Sequence, residues 1–224
     1  MARHIVAAAF LSLDGVMQAP GGPTEDPTGG FDQGGWVFSV WDEEVEATLG
    51  TLFAGDYDLL LGRRTYDIFA AYWPYAEGDN APMRDAFNAA NKYVLTRGDL
   101  PLEWENSHRL SSVEDVAALK AGDGPKMIIQ GSSTLYPALL AAGLIDELIT
   151  MTYPVIIGAG KRIFGEGTPV AALTMTDHRV TAKGTVIATY APGGALPPYP
   201  PEAPIPIISE RELARQARIK AGSW

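Results

Sequence analysis

The chain has 224 residues, of which 46% are hydrophobic and 20% are charged, and its formal net charge is -10 at pH 7. This composition is ordinary for a globular protein. The absence of cysteine excludes disulfides, thiolate catalysis and cysteine-ligated zinc, and it suits a cytoplasmic protein. The negative charge predicts no nucleic-acid partner, and no apolar run reaches the roughly 18 residues expected of a membrane span. An anionic ligand would therefore need a local group of cations.

Strands and helices alternate along most of the chain. Strands are predicted at residues 3–10, 57–62, 92–97, 126–131 and from 145 onward, and helices at residues 41–54, 65–71, 112–121 and 133–143. The first apolar run ends at Asp14-Gly15, so it predicts a strand rather than a signal peptide. Two β-rich runs at residues 172–192 predict a hairpin. This order predicts an α/β fold of three layers, with a mostly parallel central sheet and a C-terminal antiparallel hairpin.

Two segments stand apart from this alternation. Residues 12–36 form a long loop rich in Gly, Pro and Asp, and such loops are often functional lids. Residues 192–207 are proline-dense and predict an extended segment, which is followed by a short helix capped by Ser209. We therefore expect one domain over residues 1–192 and an appendage over residues 193–224. The appendage could pack on its own chain, pack on a partner or stay mobile.

Glycines, hydroxyls and cations follow successive predicted strands. They are Gly62-Arg63-Arg64-Thr65, Thr96-Arg97, Gly131-Ser132-Ser133-Thr134 and Gly158-Ala159-Gly160-Lys161-Arg162. Taken singly, each is better explained by a turn, a helix cap or a solvated charge. Together they lie where the carboxyl ends of parallel strands bind ligands, and helix N-termini and guanidinium groups suit phosphate. The set predicts a dinucleotide phosphate site, although neither the Rossmann nor the P-loop pattern is present.

Other catalytic classes receive little support from the sequence. The three histidines are far apart and lack metal-ligand spacing, so we expect no metal site. The G-x-S-x-G elbow of serine hydrolases is absent, which leaves a hydrolase using residues 131–134 as a distant alternative. The acids at residues 42–46 predict a helix start with a solvated face, and one of them could still face a cleft as a proton donor.

Several segments, in order, resemble the dihydrofolate reductase fold, in the branch that includes the pyrimidine-reductase domain of riboflavin biosynthesis, the C-terminal domain of the bifunctional deaminase-reductase. The resemblance covers residues 4 to about 190. It rests on "AAAFLSLDGVM" (7–17), "LLLGRRTYDIFAAYWP" (59–74), "KYVLTR" (92–97) and "IIQGSSTLYPALLAAGLIDELITMTYPVIIGAGKRIF" (128–164). It implies a dihydrofolate reductase-like fold and an NADPH-dependent oxidoreductase, and relatives with this fold often form homodimers.

The resemblance also implies roles for individual residues. Arg63 and Arg64, after Gly62, would meet the adenosine 2′-phosphate, and Thr65 the pyrophosphate. Thr96 and Arg97 would flank the adenine ribose. The remaining cofactor contacts would be Gly131, Ser132, Ser133 and Leu135 around the pyrophosphate, and Ala8 and Ala9 beside the nicotinamide.

The substrate side is expected to take a pyrimidine or pterin-like heterocycle. Asp14 and Glu46 are the candidate proton donors, with Asp42 and Glu43 as competitors, and Trp36 and Trp41 are expected to cover the ring. Residues 72–87 do not match the Asp-x-Pro-x-Leu-Thr-x-Arg stretch of the riboflavin reductases, which leaves the phosphoribosyl substrate open. The alternatives are a dihydrofolate reductase-like enzyme with another substrate and a non-catalytic NADPH-binding or assembly protein.

Overall fold

The apolar runs of the sequence form the strands of one sheet. The computed structural model describes residues 2–204 and 207–223. The strands are Ile5–Ser12 (β1), Tyr57–Gly62 (β2), Lys92–Leu95 (β3), Ser107–Leu110 (β4), Lys126–Gln130 (β5), Glu147–Tyr153 (β6), Ala172–Val180 (β7) and Val186–Gly194 (β8). The α-helices are Glu43–Leu52 (α1), Arg63–Tyr72 (α2), Ala81–Ala89 (α3), Val113–Ala121 (α4), Tyr136–Ala141 (α5) and Glu210–Lys220 (α6).

The eight strands pair in the order β4-β3-β2-β5-β1-β6-β8-β7. The first six strands in this order are parallel, and β8 and β7 add an antiparallel hairpin at the β6 edge. Every residue of β2 is buried, and so is nearly every residue of β1, as is expected for strands covered on both faces. The predicted fold class is confirmed.

Alternate residues of the strands pack against helices on opposite faces of the sheet. Leu59 and Leu61 of β2 lie in one buried cluster with Val45 of α1, whereas Leu60 lies in a second cluster with Leu139 of α5. The first cluster also holds residues of α2 and α3, and the second also holds a residue of α4. The helices that leave β1 and β5 therefore cover different faces of the sheet.

Helix α3 and strand β4 were not predicted from the sequence, and helix α2 begins earlier than predicted. Helix α3 follows a short 3-10 turn and carries a proline in its first turn, which hid its periodicity. Strand β4 is an edge strand whose residues "SHRL" are at least partly exposed, so no apolar run marked it. Helix α2 starts at Arg63 rather than at Thr65 because Gly62 already has the extended backbone of an N-cap.

The chain divides into two compact units, with the boundary between Gly194 and Ala195. The second unit contains α6, whose N-terminus is capped by the Ser209 side chain accepting from the Glu212 N–H. Residues 205 and 206 of the predicted proline-dense segment lie outside the described residues. Within the described ranges, no helix is long and apolar enough to cross a membrane.

Candidate functional site

A crevice is expected where β1 and β5 lie side by side. The chain leaves β1 toward β2 on one side and leaves β5 toward β6 on the other, and such a reversal is where open α/β sheets bind ligands. The pairing of the two strands ends at Ala8 and Gln130, but β1 continues to Ser12 with only β6 beside it. Ala8 and Ala9, predicted to lie beside the nicotinamide, are buried at the point where this pairing ends.

The turns that follow β2 and β5 are joined to each other. The backbone N–H of Gly62 donates to the Oγ of Ser132 across 2.9 Å, in a buried position. Ser132 holds this place with a left-handed backbone, φ 60°, and Gly131 before it has φ 84°. A Cβ on Gly131 would lie 3.3 Å from Cγ2 of Thr65, so the two turns also pack tightly. The strand ends of β2 and β5 therefore form one rigid unit.

The N-terminus of α2 is open toward solvent and positively polarised. No side chain caps it, and Arg64 in its first turn is exposed. Within the described residues, the side chains of Arg64 and Arg97 make no hydrogen bond or ion pair, whereas Thr65 lies half-buried below them. Unpaired backbone donors, a helix dipole and free guanidinium groups together suit an anion with several oxygens.

Arg63 makes contacts within the protein that Arg64 does not make, although the sequence predicted phosphate binding for both residues. Its guanidinium forms an ion pair with Asp67 at 2.8 Å and donates to the carbonyl oxygens of Leu100 and Pro101 at 2.8 and 3.0 Å. It also lies over the ring of Tyr66. The geometry does not support the prediction that Arg63 binds phosphate, because its donors are already used within the protein.

The other predicted cofactor residues divide between exposed and internal positions. Ser133 is half-exposed after the turn, and the Oγ1 of Thr96 accepts from the N–H of Gly98 at 3.2 Å. Leu135 is only 5% exposed, and its N–H donates to the Ser132 carbonyl at 2.8 Å. Leu135 therefore supports the turn from below and offers no free donor to a ligand.

Asp14 fastens two loops at the carboxyl edge of the sheet. Its carboxylate accepts from the Ser12 hydroxyl at 2.7 Å and from the N–H groups of Ile157 and Gly158 at 3.0 and 2.9 Å, and it faces Arg162. The Ile157 and Ser12 hydrogen bonds lead the causes that lower the pKa of Asp14 to about 2. An acid of this strength is ionised at neutral pH, so the structure does not support Asp14 as a proton donor.

A cleft of about 510 Å³ opens at the carboxyl end of β6, beside the start of α1. Its lining residues are Phe38, Ser39, Val40, Trp41, Glu43, Pro154 and Lys183. Phe38 and Trp41 stack with ring centroids 5.6 Å apart, and Lys183 donates to the Trp41 carbonyl and pairs with Glu43. Trp41, predicted to cover the substrate ring, lines this cleft. Phe38 and Lys183 were not predicted from the sequence, although a three-residue aromatic spacing and a lysine at a hairpin tip could have indicated them.

Two other substrate-side predictions change. Trp36 is 7% exposed, donates its indole N–H to the Gln18 carbonyl and packs edge-on against Tyr153, so the structure places it in the core and does not support its predicted role as a substrate wall. Glu46 is exposed on α1. It lines neither this cleft nor a second cleft between residues 28–33 and 157–161. Its role as a proton donor therefore has no geometric support.

The competing acid Asp42 is buried and caps α1. Its carboxylate accepts from the Thr181 hydroxyl and the Glu44 N–H. Burial raises its pKa, but these hydrogen bonds outweigh burial, so its pKa lies below the ordinary value.

The second cleft, of about 410 Å³, lies between residues 28–33 and 157–161, where Lys161 pairs with Asp26. No cluster of acidic or histidine ligands for a metal occurs in the part of the chain described.

The two clefts do not coincide with the Gly62–Ser132 turns. A cofactor with several phosphate oxygens needs donors and cations more than depth, and the turns supply them. A flat ring needs apolar walls, which the Phe38–Trp41 cleft supplies. The candidate phosphate-binding turns and the candidate ring-binding cleft are therefore separate features of the structure.

Comparison with protein families shows which family this chain belongs to. The model of the RibD C-terminal domain matches residues 3–188. The chain belongs to this family. The chain is also similar to the uncharacterized protein YyaP of Bacillus subtilis (strain 168), at 24% identity over 196 residues, which are 84% of this chain and 94% of YyaP. The membership supports a reductase-type oxidoreductase.

Solved structures share the RibD C-terminal fold at low identity. A protein of Shewanella sp. PV-4 named for riboflavin biosynthesis has a TM-score of 0.62 at 20% identity, covering 86% of this chain and 99% of its own. Dihydrofolate reductase from Enterococcus faecalis, complexed with NADP(H) and RAB-propyl, has a TM-score of 0.53 at 17% identity, with coverage of 86% and 99%. A pyrimidine reductase-like protein from Corynebacterium diphtheriae has a TM-score of 0.54 at 12% identity, with coverage of 85% and 92%.

Proposed function

We propose that this RibD C-terminal domain protein is an NADPH-dependent reductase of a pyrimidine or pterin-like heterocycle. The observation that carries the proposal is the joined pair of turns after β2 and β5 beside an uncapped α2 N-terminus with exposed Arg64. Family membership and the NADP(H) complex of the E. faecalis enzyme add support. From the family resemblance alone, we also propose a cytoplasmic homodimer.

The residues present fit a phosphorylated dinucleotide. The first-turn N–H groups of α2 and the Thr65 hydroxyl would hold the pyrophosphate, and the free guanidinium groups of Arg64 and Arg97 would hold the 2′-phosphate. The crevice between β1 and β5 would take the nicotinamide, with Ala9 on one side and Gly131 on the other. When bound, the cofactor supplies the hydride.

The Phe38–Trp41 cleft would take the flat ring of the substrate, with Lys183 and Glu43 available to its polar edge. Reduction of a ring C=N bond also needs a proton on nitrogen. Asp14, Asp42 and Glu43 all have pKa values below their ordinary range because of the hydrogen bonds that they accept. We therefore propose that the proton comes from solvent, and that the side chains orient the ring.

The test is an assay of NADPH oxidation at 340 nm against a panel of pyrimidines and pterins, accompanied by titration of nicotinamide fluorescence. The proposal expects saturable NADPH binding and turnover of at least one ring, with Trp41→Ala reducing turnover. If millimolar NADPH changed neither the fluorescence nor the melting temperature, the proposed cofactor would be wrong.

A second candidate is a protein that binds NADPH without catalysis. The observation that favours it is that none of the three carboxylates just named is positioned as a neutral acid. NADPH binding with no oxidation across the panel would support this candidate over the reductase. The hydrolase alternative has no geometric support, because Ser132 accepts the Gly62 N–H and none of the histidines within the described residues hydrogen-bonds to it.

A further inference from the structure

We propose that Arg63 and Arg109 form a clamp on residues 98–101 that places Arg97 beside Arg64, so that Arg63 sets cofactor affinity without contacting the 2′-phosphate. This inference rests on the proposed NADPH site. Arg63 would be a positioning residue, whereas the adjacent Arg64 would bind the 2′-phosphate. The sequence alone does not make this distinction.

The contacts of Arg63 leave little of it for a ligand. A guanidinium has five N–H donors. In Arg63, Nε donates to Asp67 at 3.0 Å, one terminal nitrogen pairs with Asp67 at 2.8 Å, and the other donates to the carbonyls of Leu100 and Pro101. The Asp67 carboxylate also offsets the positive charge of Arg63, which weakens its attraction for a phosphate.

Arg109 holds the same segment from the neighbouring strand. It extends from β4 and donates to the carbonyls of Gly98 and Leu100. The Leu100 carbonyl therefore accepts from both Arg63 and Arg109. The side chain of Leu100 is 63% exposed, so the segment is not anchored by burial there. The two guanidinium groups therefore hold the carbonyls of this backbone segment, and the hydrogen bond from the Gly98 N–H to Thr96 adds to them.

The clamp matters because Arg97 immediately precedes the clamped segment. Gly62 of β2 is in register with Leu95 of β3, so Arg64 and Arg97 each follow their strand at the same distance beyond that pair. Both arginines are exposed and without partners in the described residues. The two free cations thus leave neighbouring strand ends at one level, which suits joint binding of a dianionic phosphate.

Titration of nicotinamide fluorescence with NADPH and with NADH tests the division of roles. For Arg64→Ala and Arg97→Ala we expect NADPH affinity to fall about tenfold, as for the loss of one charge-assisted hydrogen bond, while NADH affinity stays the same. For Arg63→Ala and Arg109→Ala we expect a smaller fall in NADPH affinity alone, because Arg97 is present but no longer held in place, and no further fall when either change is added to Arg97→Ala. Unchanged NADPH affinity in Arg109→Ala, or a further fall when Arg63→Ala is added to Arg97→Ala, would overturn the inference.

Arg63→Lys is a milder change that distinguishes the clamp from a direct contact between Arg63 and the phosphate. Lysine keeps the charge but cannot make the forked contacts of a guanidinium. The clamp predicts that Arg63→Lys resembles Arg63→Ala in weakening NADPH binding, whereas a direct phosphate contact predicts that lysine keeps most of the NADPH preference.

Hydrogen–deuterium exchange of the cofactor-free protein separates this inference from the proposed function. The clamp predicts faster exchange at residues 98–100 in Arg63→Ala and Arg109→Ala, and no change in Arg64→Ala. Unchanged exchange in all three would overturn the clamp even if the wild type binds NADPH. Failure of the wild type to bind NADPH would instead remove the proposed function while the exchange result still tests the clamp.

Discussion

Gly62 and Ser132 are 70 positions apart in the chain, yet the N–H of Gly62 donates to the Ser132 hydroxyl at 2.9 Å in a buried position. Strands β2 and β5 are neighbours in the sheet, so their turns meet at one edge. A glycine at 62 leaves room for this approach, because a Cβ there would lie 3.4 Å from the Ser132 Oγ. The contact ties the two phosphate-binding candidates of the sequence into a single surface.

Ser132→Ala should weaken both the fold and the cofactor site. It leaves the buried Gly62 N–H unsatisfied, which costs about 1–3 kcal/mol, while the left-handed backbone strain at 132 stays the same. We expect a lower free energy of unfolding by urea denaturation and a several-fold weaker affinity for NADPH. For the unfolding measurement, Ser133→Ala is the matched control, because its half-exposed hydroxyl has no partner in the described part of the chain. Equal behaviour of the two variants would contradict this role for Ser132.

The sequence predicted the layers of the fold well because its central strands are continuous apolar runs bounded by turn residues. It predicted the strand-end turns for the same reason, since parallel strands bring their carboxyl ends together. It could not assign Arg63, whose partners at 100 and 101 come from a segment with no regular pattern. It could not show that Trp36 is buried, because an aromatic residue in a loop gives the same pattern whether the loop folds inward or stays open.

Asp14→Asn should destabilise the protein most clearly near neutral pH. The folded-state pKa of Asp14 is about 2, below its ordinary value of 3.8, so its stabilisation is present above pH 4 and is lost as pH falls through 2. We expect the variant to lose about 1–2 kcal/mol at pH 7 and the gap from wild type to narrow below pH 3. Asp32→Asn, an exposed change in the same long loop, serves as control. A gap that is constant from pH 7 to pH 2 would contradict this assignment.

Trp41→Ala should act on the substrate rather than on NADPH. It removes one wall of the Phe38–Trp41 cleft, which lies apart from the Gly62–Ser132 turns. For the ring that gives turnover in the panel, we expect KM to rise about tenfold, consistent with the loss of one aromatic stacking contact, while the NADPH dissociation constant is unchanged. Tyr75→Ala, at an exposed aromatic residue outside the cleft, should leave both constants unchanged. A change in NADPH affinity alone would place Trp41 in the wrong half of the site.

Lys92→Met tests the buried lysine at the start of β3. Lys92 is fully buried, donates to the Phe87 and Asn88 carbonyls at 2.8 and 2.9 Å, and lies 4.4 Å from the centroid of the Trp104 ring. Burial lowers its pKa from 10.5 to about 8. Between these values the unfolded chain binds more protons than the folded protein, so this group makes stability rise with pH.

The difference in unfolding free energy between wild type and Lys92→Met should therefore move in favour of the wild type as pH rises from 8 to 10.5. The shift corresponds to about 3 kcal/mol at most. Urea denaturation at pH 7, 8, 9 and 10 measures it. The comparison with Lys92→Met cancels the opposite effect of Tyr57, whose pKa burial raises to about 12. A difference that does not depend on pH would contradict the burial of a charged lysine.

A crystal structure of the protein soaked with NADPH tests the central claim most directly. The account predicts the pyrophosphate over the joined turns at Gly62 and Ser132, the 2′-phosphate between Arg64 and Arg97, and the nicotinamide in the crevice between β1 and β5. Ordered NADPH elsewhere on the protein, or no density at these turns at saturating NADPH, would contradict it.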